Sequence, residues 1–331
     1  MTGMLSSRSD LRSTPASPSL AGRPILTALA ASSLIDVIML RGAGLGLDVT
    51  PALTVFVGWA IVASACCYFF RAPRTRRQRI ARDFMEGVSL FALVSLLGAI
   101  ASYPLAAGRH PFVDTELEGI DLKLHFHWLS WYEWIAAHAW AQIPERLAYL
   151  SIFVTPAMLI GYFAWTDRRA ESRQFVATFW VAVVITLALF PLFPAAGPFA
   201  TLWHGSAPYM PLSALYQAQV IEALRHHTIH DIDLGALHGL VCAPSFHAAS
   251  AVVYVATAWR IPAMRWPIAG LNGVMLLATP IEGTHYLADI LAGVSVACVA
   301  LALTPALIRW TGAAKGDWRG GFERAAPVAA E

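Results

Sequence analysis

Eight apolar segments, each near the length needed to cross a lipid bilayer, constrain this chain more than any other feature. A membrane-spanning helix needs about 20 predominantly apolar residues, and in lipid its backbone polar groups must be satisfied within the helix. The sequence therefore predicts an all-α fold, a polytopic membrane helix bundle with about eight transmembrane helices. The approximate spans are 24–40, 50–70, 84–107, 147–165, 175–196, 246–260, 267–281 and 286–308.

The composition points the same way. Hydrophobic residues make up 57% of the chain and charged residues 13%, against about 25% charged in soluble domains. The net charge of +2 gives no reason to expect a nucleic acid partner. The four cysteines show no metal-binding or redox spacing such as C-x-x-C and are interpreted as small apolar side chains.

The basic residues predict the orientation in the membrane. Alternate threading of the eight segments places 18 of the 23 Lys and Arg residues on one side. The positive-inside rule makes that side cytoplasmic. Residues 1–23, which are rich in Ser, Pro and Arg, are then a disordered cytoplasmic tail, and residues 309–331 form a second cytoplasmic tail.

Two long loops face the opposite side of the membrane. Residues 108–143 contain FHWLSWYEWIAAHAW, whose aromatic residues predict a helix in the lipid–water interface. Residues 197–244 contain a cluster of residue types that can bind Zn²⁺. Because the cluster lacks a fixed ligand spacing, a hydrated loop that binds a polar head group is preferred over a metal site. Its members are His226, His227, His230, Asp231, Asp233 and His238.

An ionisable side chain opens the sixth apolar segment. His247 follows Pro244 and Ser245, and Ser245 has the residue type of a helix N-cap. The first turn of a helix has unpaired N–H groups and a positive dipole end, which together attract anions such as phosphate. An imidazole at this position can donate a proton to a phosphate oxygen.

A histidine and an aspartate open the eighth segment in the same way. The spacing of His285 and Asp289 places both on one helix face, where the carboxylate can accept the imidazole N–H and leave the other nitrogen free to attack. An acid within an apolar segment is costly unless it has a partner. Each residue alone is explained as a cap or an interfacial side chain, but with His247 on the same membrane face the three together predict a catalytic site.

These residues also carry a family resemblance. Pro244-Ser245-x-His247 and His285-x-x-x-Asp289 resemble the second and third motifs of the type 2 phosphatidic acid phosphatase superfamily. The surrounding GLVCAPSFHAASAV, GTHYLADILAG and FPLFPAAGP are most similar to the branch of the inositol phosphorylceramide synthases and their bacterial relatives. The resemblance covers about residues 110–305. It implies a six-helix phosphatase-like core within a catalytic region over 108–308, preceded by three additional transmembrane helices over 24–107.

The resemblance also implies a mechanism and its residues. It implies metal-independent, two-step phosphoryl transfer without a cofactor, in which His285 is the nucleophile, Asp289 orients it and His247 is the general acid. The implied partners are a lipid phosphate substrate and the surrounding membrane lipids. The implied location is a bacterial inner membrane, with the site on the extracytoplasmic face.

The sequence departs from the phosphatases of that superfamily in its cationic residues. No K-x6-R-P motif is present, and Thr279 occupies the position six residues before the nucleophile, where those phosphatases have Arg. Arg225 is therefore predicted to neutralise the phosphate. Ser245 is predicted to bind substrate at the helix start, and Glu282 to act as a second acid or to bind an acceptor hydroxyl.

Three functions stay open on the sequence. An alcohol acceptor, as in the inositolphosphotransferase-like branch, makes the protein a phosphoryl or phosphoalcohol transferase, and this is preferred. Water as acceptor makes it a lipid phosphate or pyrophosphate phosphatase with the same catalytic residues. A non-enzymatic transporter or scaffold is disfavoured because the polar residues concentrate at one membrane face rather than mid-membrane. The sequence leaves the donor lipid, the acceptor and the oligomeric state open.

Overall fold

A computed structural model of the protein describes residues 23–310, and most of this part of the chain is helical. The parts of both predicted tails before residue 23 and after residue 310 lie outside the described residues. The elements in chain order are α1 (Arg23–Ala43), β1 (Gly46–Asp48), α2 (Leu53–Phe69), α3 (Arg76–Ala106), α4 (Asp114–Lys123), α5 (Trp128–Ala137), α6 (Ala139–Leu150), α7 (Thr155–Trp165), α8 (Arg169–Leu189), α9 (Pro198–Leu202), α10 (Gln217–Arg225), β2 (Asp231–Asp233), α11 (Phe246–Trp259), α12 (Arg265–Glu282) and α13 (Leu287–Trp310).

The predicted all-α membrane bundle is confirmed. Five helices are long and apolar enough to cross a membrane, namely α1, α2, α3, α8 and α13, and α6 with α7 make a sixth if this bent pair is counted as one span. The predicted sixth and seventh segments are α11 and α12. Helix α11 has 14 residues and is about 21 Å long, which is shorter than the roughly 30 Å hydrocarbon core.

The fourth predicted segment is a broken helix rather than a continuous one. Helix α6 begins at Ala139, before the predicted start, and α7 follows after a 3₁₀ turn at Ser151–Phe153 with a bend of 48°. Pro156 lies in the first turn of α7, where its missing N–H needs no intrahelical partner. The same proline prevents α6 from continuing unbroken into α7, because it cannot donate the backbone hydrogen bond that a continuous helix requires. The break leaves α6 free to pack along α12, which places its side chains beside the predicted catalytic residues.

The aromatic stretch in the 108–143 loop packs inward as well as outward. Trp128 and Tyr132 of α5 are buried. The Trp128 indole N–H donates to the Pro280 carbonyl at 2.7 Å, and the Tyr132 hydroxyl donates to the Tyr209 carbonyl at 2.7 Å. Trp140 remains 70% exposed, as expected of an interfacial side chain. One face of this region therefore supports the end of α12 from outside the bundle.

A close helix contact positions the predicted catalytic segments against each other. Helix α13 packs against α11 at Gly293, where an added Cβ would lie 2.1 Å from the Ser245 carbonyl oxygen and 3.0 Å from the Ala248 Cβ. Only a residue without a side chain permits this approach. The start of α11 therefore lies directly against the first turns of α13.

The first helices are tied to the second long loop by a feature that the sequence did not predict. Strands β1 and β2 pair in parallel over three residues each, with Gly46 opposite Asp231. Leu40 near the end of α1 and Tyr103 near the end of α3 belong to the same buried apolar cluster as Leu240 of the loop. These contacts hold the 197–244 loop over one end of the bundle.

Candidate active site

The predicted nucleophile lies in the turn between two helices. Helix α12 ends at Glu282 and α13 begins at Leu287, so His285 precedes α13 instead of sharing a helical face with Asp289. The turn is tight, with Thr284 at φ 51° and the His285 N–H donating to the Pro280 carbonyl at 3.1 Å. His285 is only 2% exposed.

Asp289 faces His285 across this turn. Nδ1 of His285 lies 3.0 Å from Oδ1 of Asp289. The ring N–H does not point directly at this oxygen, so neither atom completes an aligned hydrogen bond, an arrangement common in unliganded catalytic sites. The other carboxylate oxygen accepts the Tyr286 N–H at 2.9 Å, which fixes the carboxylate in the first turn of α13.

Ser245 and His247 open α11 beside this pair. The Ser245 hydroxyl caps the helix by accepting the Ala248 N–H at 3.4 Å. The Ser245 N–H donates to the Asp289 carbonyl at 3.0 Å, which joins the two helix starts through the backbone. The ring centroids of His247 and His285 are 6.2 Å apart. The structure thus brings together Ser245, His247, His285 and Asp289 from segments about 40 residues apart in the sequence.

Tyr149 is a site residue that the sequence reasoning missed. Its ring stacks on His247 with centroids 4.1 Å apart, and its hydroxyl lies 3.4 Å from His247 Nδ1. The same hydroxyl lies 3.3 Å from the Ser213 hydroxyl. In the sequence, Tyr149 is an ordinary tyrosine near the start of the fourth apolar segment. Its contact with His247 could not be predicted because the two residues are 98 positions apart.

Glu282 is fully buried and held by other protein groups. It accepts hydrogen bonds from the Tyr209 hydroxyl and, at 3.0 Å, from the Leu212 N–H. Nε of Arg146 lies 3.4 Å from Oε1 of Glu282. A carboxylate has about four acceptor sites, and three of those of Glu282 already face protein groups. Its predicted role as a second acid or as an acceptor-binding group stays a prediction.

Arg146 brings a cation to the site that the sequence reasoning did not choose. Besides Glu282, its guanidinium donates to the Met210 carbonyl at 2.8 Å and to the Tyr209 hydroxyl at 3.2 Å. Arg146 precedes Tyr149 by three residues in α6, so both lie near one face of that helix. Its side chain is 38% exposed, which leaves part of the guanidinium accessible.

Arg225 is the last residue of α10. Its guanidinium stacks over the Phe112 ring at 3.8 Å. Burial lowers its pKa, and the charge of Asp114 acts in the opposite direction. Its Nε has no hydrogen-bond partner. Within residues 23–310, neither Arg225 nor Arg146 forms a hydrogen bond or ion pair with His247, His285 or Asp289; Arg225 contacts Phe112, and Arg146 contacts Glu282, Tyr209 and Met210.

Two aspartates of α4 support the turn that carries His285. Asp114 accepts the N–H groups of Ala196 and Gly197, each at 2.9 Å. Gly197, at φ 94°, lies so close to Thr284 that an added Cβ would be 2.8 Å from its carbonyl oxygen. The FPLFPAAGP segment therefore packs directly behind the nucleophile.

Asp121 supports the same turn from the other side. It accepts the N–H groups of Leu287 and Ala288, each at 2.8 Å. Burial raises the pKa of Asp121, and these two hydrogen bonds partly oppose the effect. The seven-residue spacing of Asp114 and Asp121 puts both on one helix face, a signal that was present in the sequence but was not used.

The histidine-rich part of the 197–244 loop does not converge on a point. Asp231 and Asp233 belong to β2, and His238 stacks on Tyr216 at 3.9 Å between centroids. Burial lowers the pKa of His238. In the described part of the chain, one group of ligand-type side chains does converge: Cys242, His285 and Asp289 offer atoms within 4.8 Å of one another.

Comparison with known proteins adds one finding. A family model described as the PAP2 superfamily matches residues 115–303, which is more than half of the chain. No curated protein and no solved structure matches. The matched range contains every predicted catalytic and substrate-binding residue.

Proposed function

Since the chain belongs to the PAP2 superfamily, whose members are phosphatases and phosphotransferases, we propose that it is a metal-independent membrane phosphotransferase. The proposed reaction moves a phosphoryl or phosphoalcohol group from a lipid phosphoester to an alcohol, as in inositolphosphotransferases, through a phosphohistidine. The observation that carries this proposal is the 3.0 Å approach of His285 Nδ1 to Asp289 beside His247.

In the first step, His285 attacks the phosphorus of the lipid phosphoester. Nδ1 of His285 lies 3.0 Å from Oδ1 of Asp289, and with the ring proton on Nδ1 the other nitrogen, Nε2, carries the free electron pair. A bond forms between Nε2 and phosphorus while the bond from phosphorus to the lipid oxygen breaks. Protonated His247 gives its proton to the leaving oxygen, and Asp289 stabilises the positive charge that develops on the His285 ring.

In the second step, the acceptor takes the phosphoryl group. Neutral His247 accepts the proton of the acceptor hydroxyl, the acceptor oxygen bonds to phosphorus, and the bond from His285 Nε2 to phosphorus breaks. His247 is thereby returned to its protonated form. Stacking on Tyr149 holds the His247 ring in place through both steps.

A cation is needed where charge develops on the phosphoryl oxygens. We propose Arg146 for this role because it borders Glu282 and lies one turn from the residue that stacks on His247. Glu282 then positions Arg146 rather than binding substrate directly. The predicted role of Arg225 stays a prediction, and that of Ser245 is supported by its place at the α11 N-terminus, next to His247.

Hydrolysis is the second candidate function. The observation that favours it is the 2% exposure of His285, because water reaches a buried phosphohistidine more easily than a polyol does. The proposed site faces the extracytoplasmic side of a bacterial inner membrane, so the donor lipid is presented in the outer leaflet; the distribution of Lys and Arg residues supports this orientation.

The test is a product analysis. Purified protein is incubated with a phosphorus-labelled lipid phosphate, with and without inositol, and every labelled product is identified. The proposal expects a labelled inositol phosphoester that requires inositol, and an acid-labile phosphoprotein that is absent in His285→Ala. Release of inorganic phosphate alone, unaffected by inositol, establishes the phosphatase instead. Wild-type turnover in His285→Ala rejects the phosphohistidine mechanism for both.

A further inference from the structure

Three side chains at the nucleophile offer a set of metal-ligand atoms, and one of the three has no part in the proposed reaction. Cys242, His285 and Asp289 are each buried, and one ligand atom from each lies within 4.8 Å of the other two. The Cys242 thiol lies 3.8 Å from the Thr284 carbonyl oxygen, so it belongs to the turn that carries His285. The proposed mechanism gives this thiol no role.

Two of these three side chains have facing atoms without an aligned partner. Nδ1 of His285 and Oδ1 of Asp289 are 3.0 Å apart, yet neither completes a hydrogen bond. His285 is 2% exposed and Asp289 is 1% exposed. Polar atoms this deeply buried normally have partners, and the Cys242 thiol is a third ligand-type group within 4.8 Å of this pair.

The chemistry of the set selects the ion. A thiolate, an imidazole and a carboxylate together suit Zn²⁺ and similar thiophilic ions, whereas Mg²⁺ prefers oxygen ligands and keeps several waters. One divalent ion with one thiolate and one carboxylate is electrically neutral, which lowers the cost of burial. Zinc ligands at about 2.0–2.3 Å from the ion lie roughly 3.5 Å apart. The Cys242 sulfur must therefore approach the other two groups by about 1 Å or less, while the 3.0 Å separation of His285 Nδ1 and Asp289 Oδ1 must widen slightly.

From this geometry we infer that Cys242, His285 and Asp289 form an inhibitory site for a thiophilic divalent cation such as Zn²⁺ or Cd²⁺. An ion coordinated by Nδ1 of His285 leaves the proton of the neutral ring on Nε2, and it draws Asp289 away from its orienting position. Nε2 then has no free electron pair for attack, so phosphohistidine cannot form. Cys242 is the specificity residue of this site, because it supplies the soft ligand. The inhibition rests on the proposed function, whereas binding of the ion does not.

The binding experiment uses full-length protein in detergent after chelator treatment. Co²⁺ is titrated as a spectroscopic probe, and the thiolate-to-cobalt charge-transfer absorption is recorded. We expect one equivalent per chain, displaced by Zn²⁺. The band should be absent in Cys242→Ala and His285→Ala but retained in the matched control Cys66→Ala/Cys67→Ala/Cys298→Ala. A band lost in the control and kept in Cys242→Ala overturns the site.

The inhibition experiment compares each protein with its own metal-free activity on a lipid phosphate. Zn²⁺ and Cd²⁺ should inhibit wild type and the triple control alike, and Mg²⁺ should not inhibit. Cys242→Ala should need at least about 10–100-fold more Zn²⁺ for the same inhibition, because the loss of a residue that only supports a metal ligand already lowers the affinity by that factor. Equal Zn²⁺ sensitivity of Cys242→Ala overturns the proposal, as does loss of activity on chelation, because the ion is then a cofactor.

The two experiments separate the failure modes. If the protein shows no transfer or hydrolysis at all, the proposed function fails, but the cobalt spectrum still tests the site. If Co²⁺ binds through Cys242 and Zn²⁺ does not inhibit an active enzyme, the inhibitory role is rejected while the proposed function stands.

Discussion

A single residue, Asp289, links the segments that carry the three predicted catalytic residues. The Asp289 side chain faces His285 at 3.0 Å and accepts the Tyr286 N–H, while its carbonyl oxygen accepts the Ser245 N–H two residues before His247. The nucleophile and the general acid are therefore positioned by one residue. Any change in Asp289 that preserves the backbone should affect chemistry more than folding.

Replacement of this carboxylate by an amide provides the first prediction. Asp289→Asn keeps the size and a hydrogen-bond acceptor but loses the charge that stabilises the imidazolium. We expect turnover to fall by about 10²–10⁴-fold, by analogy with triad carboxylates, with an unchanged melting temperature to within a few degrees. His285→Ala is the reference for complete loss. A rate near wild type in Asp289→Asn contradicts the assigned role.

The two arginines near the site provide the second prediction. Lys keeps the positive charge but cannot hold the fork of contacts that Arg146 makes to Glu282, Tyr209 and Met210. Arg146→Lys should lower kcat/KM by about tenfold or more, equivalent to at least about 1.4 kcal/mol of transition-state stabilisation.

Arg225→Lys is the matched comparison. Lys cannot reproduce the stacking of Arg225 on Phe112. Because this contact does not involve the catalytic residues, we expect kcat/KM of Arg225→Lys to stay within about threefold of wild type, less than about 1 kcal/mol of transition-state stabilisation. The reverse ranking, with Arg225→Lys the more damaging, would restore Arg225 as the phosphate-neutralising residue and leave Arg146 with a structural role.

At the scale of elements, the site is built where helices start and end. His247 is in the first turn of α11, Asp289 is in the first turn of α13, and Glu282 is the last residue of α12. Helix starts present free N–H groups and a positive dipole end, so two helix starts that meet at one point favour an anion between them. Their convergence depends on how closely α13 approaches α11.

The glycine at this approach provides the third prediction. Gly293→Ala places a Cβ 2.1 Å from the Ser245 carbonyl oxygen, which must force the backbones apart. Overpacking of this kind costs about 1–3 kcal/mol. We expect a lower melting temperature in detergent and a larger loss of activity, since the separation moves Ser245 away from Asp289.

Gly273→Ala is the control for this substitution. Gly273 lies in α12, and an added Cβ would meet nothing within 4 Å. Alanine favours helix over glycine by about 1 kcal/mol, so this variant should be at least as stable as wild type and fully active. Equal behaviour of the two glycine variants would show that the α11–α13 contact is adaptable.

At the scale of the whole molecule, arginines near the starts of α3 and α8 pair with acids on neighbouring segments. Arg173 of α8 lies 2.8 Å from Glu86 of α3, and Arg79 lies 2.8 Å from Asp167. The catalytic helix starts lie at the other ends of their helices. The bundle therefore has one end with many arginines and another with the site.

This polarity provides the fourth prediction. Arginine-rich short loops are retained in the cytoplasm during insertion, so the 197–244 loop, which contains Ser206, should face the opposite side. In a background without Cys66, Cys67, Cys242 and Cys298, Ser206→Cys should therefore react with a membrane-impermeant thiol reagent in intact cells. Thr166→Cys, between α7 and α8, should react only after the membrane is opened. Both positions are exposed, so lack of reaction reports sidedness rather than burial.

The opposite labelling pattern has a direct functional meaning. If Thr166→Cys reacts from outside and Ser206→Cys is protected, the orientation is inverted. The site would then face the cytoplasm, and the donor lipid would come from the inner leaflet.

The sequence by itself determined the class of fold and the chemical identity of the predicted catalytic residues. Hydropathy and segment length are properties of consecutive residues, so they predicted the membrane bundle that the helices α1, α3, α8 and α13 confirm. Local spacing was likewise enough to single out His247, His285 and Asp289 and to predict the Ser245 cap. The break between α6 and α7 was not predicted, because helix propensity alone does not show where packing against α12 ends one helix.

The tertiary structure alone decided what surrounds those residues. Tyr149 and His247 are 98 residues apart in the chain, and Arg146 and Glu282 are 136 residues apart. Such pairs leave no periodic signal, because they depend on the rotation and depth of separately folded helices. The different surroundings of Arg146 and Arg225, the engagement of Glu282 and the convergence of Cys242 on His285 and Asp289 all follow from that packing.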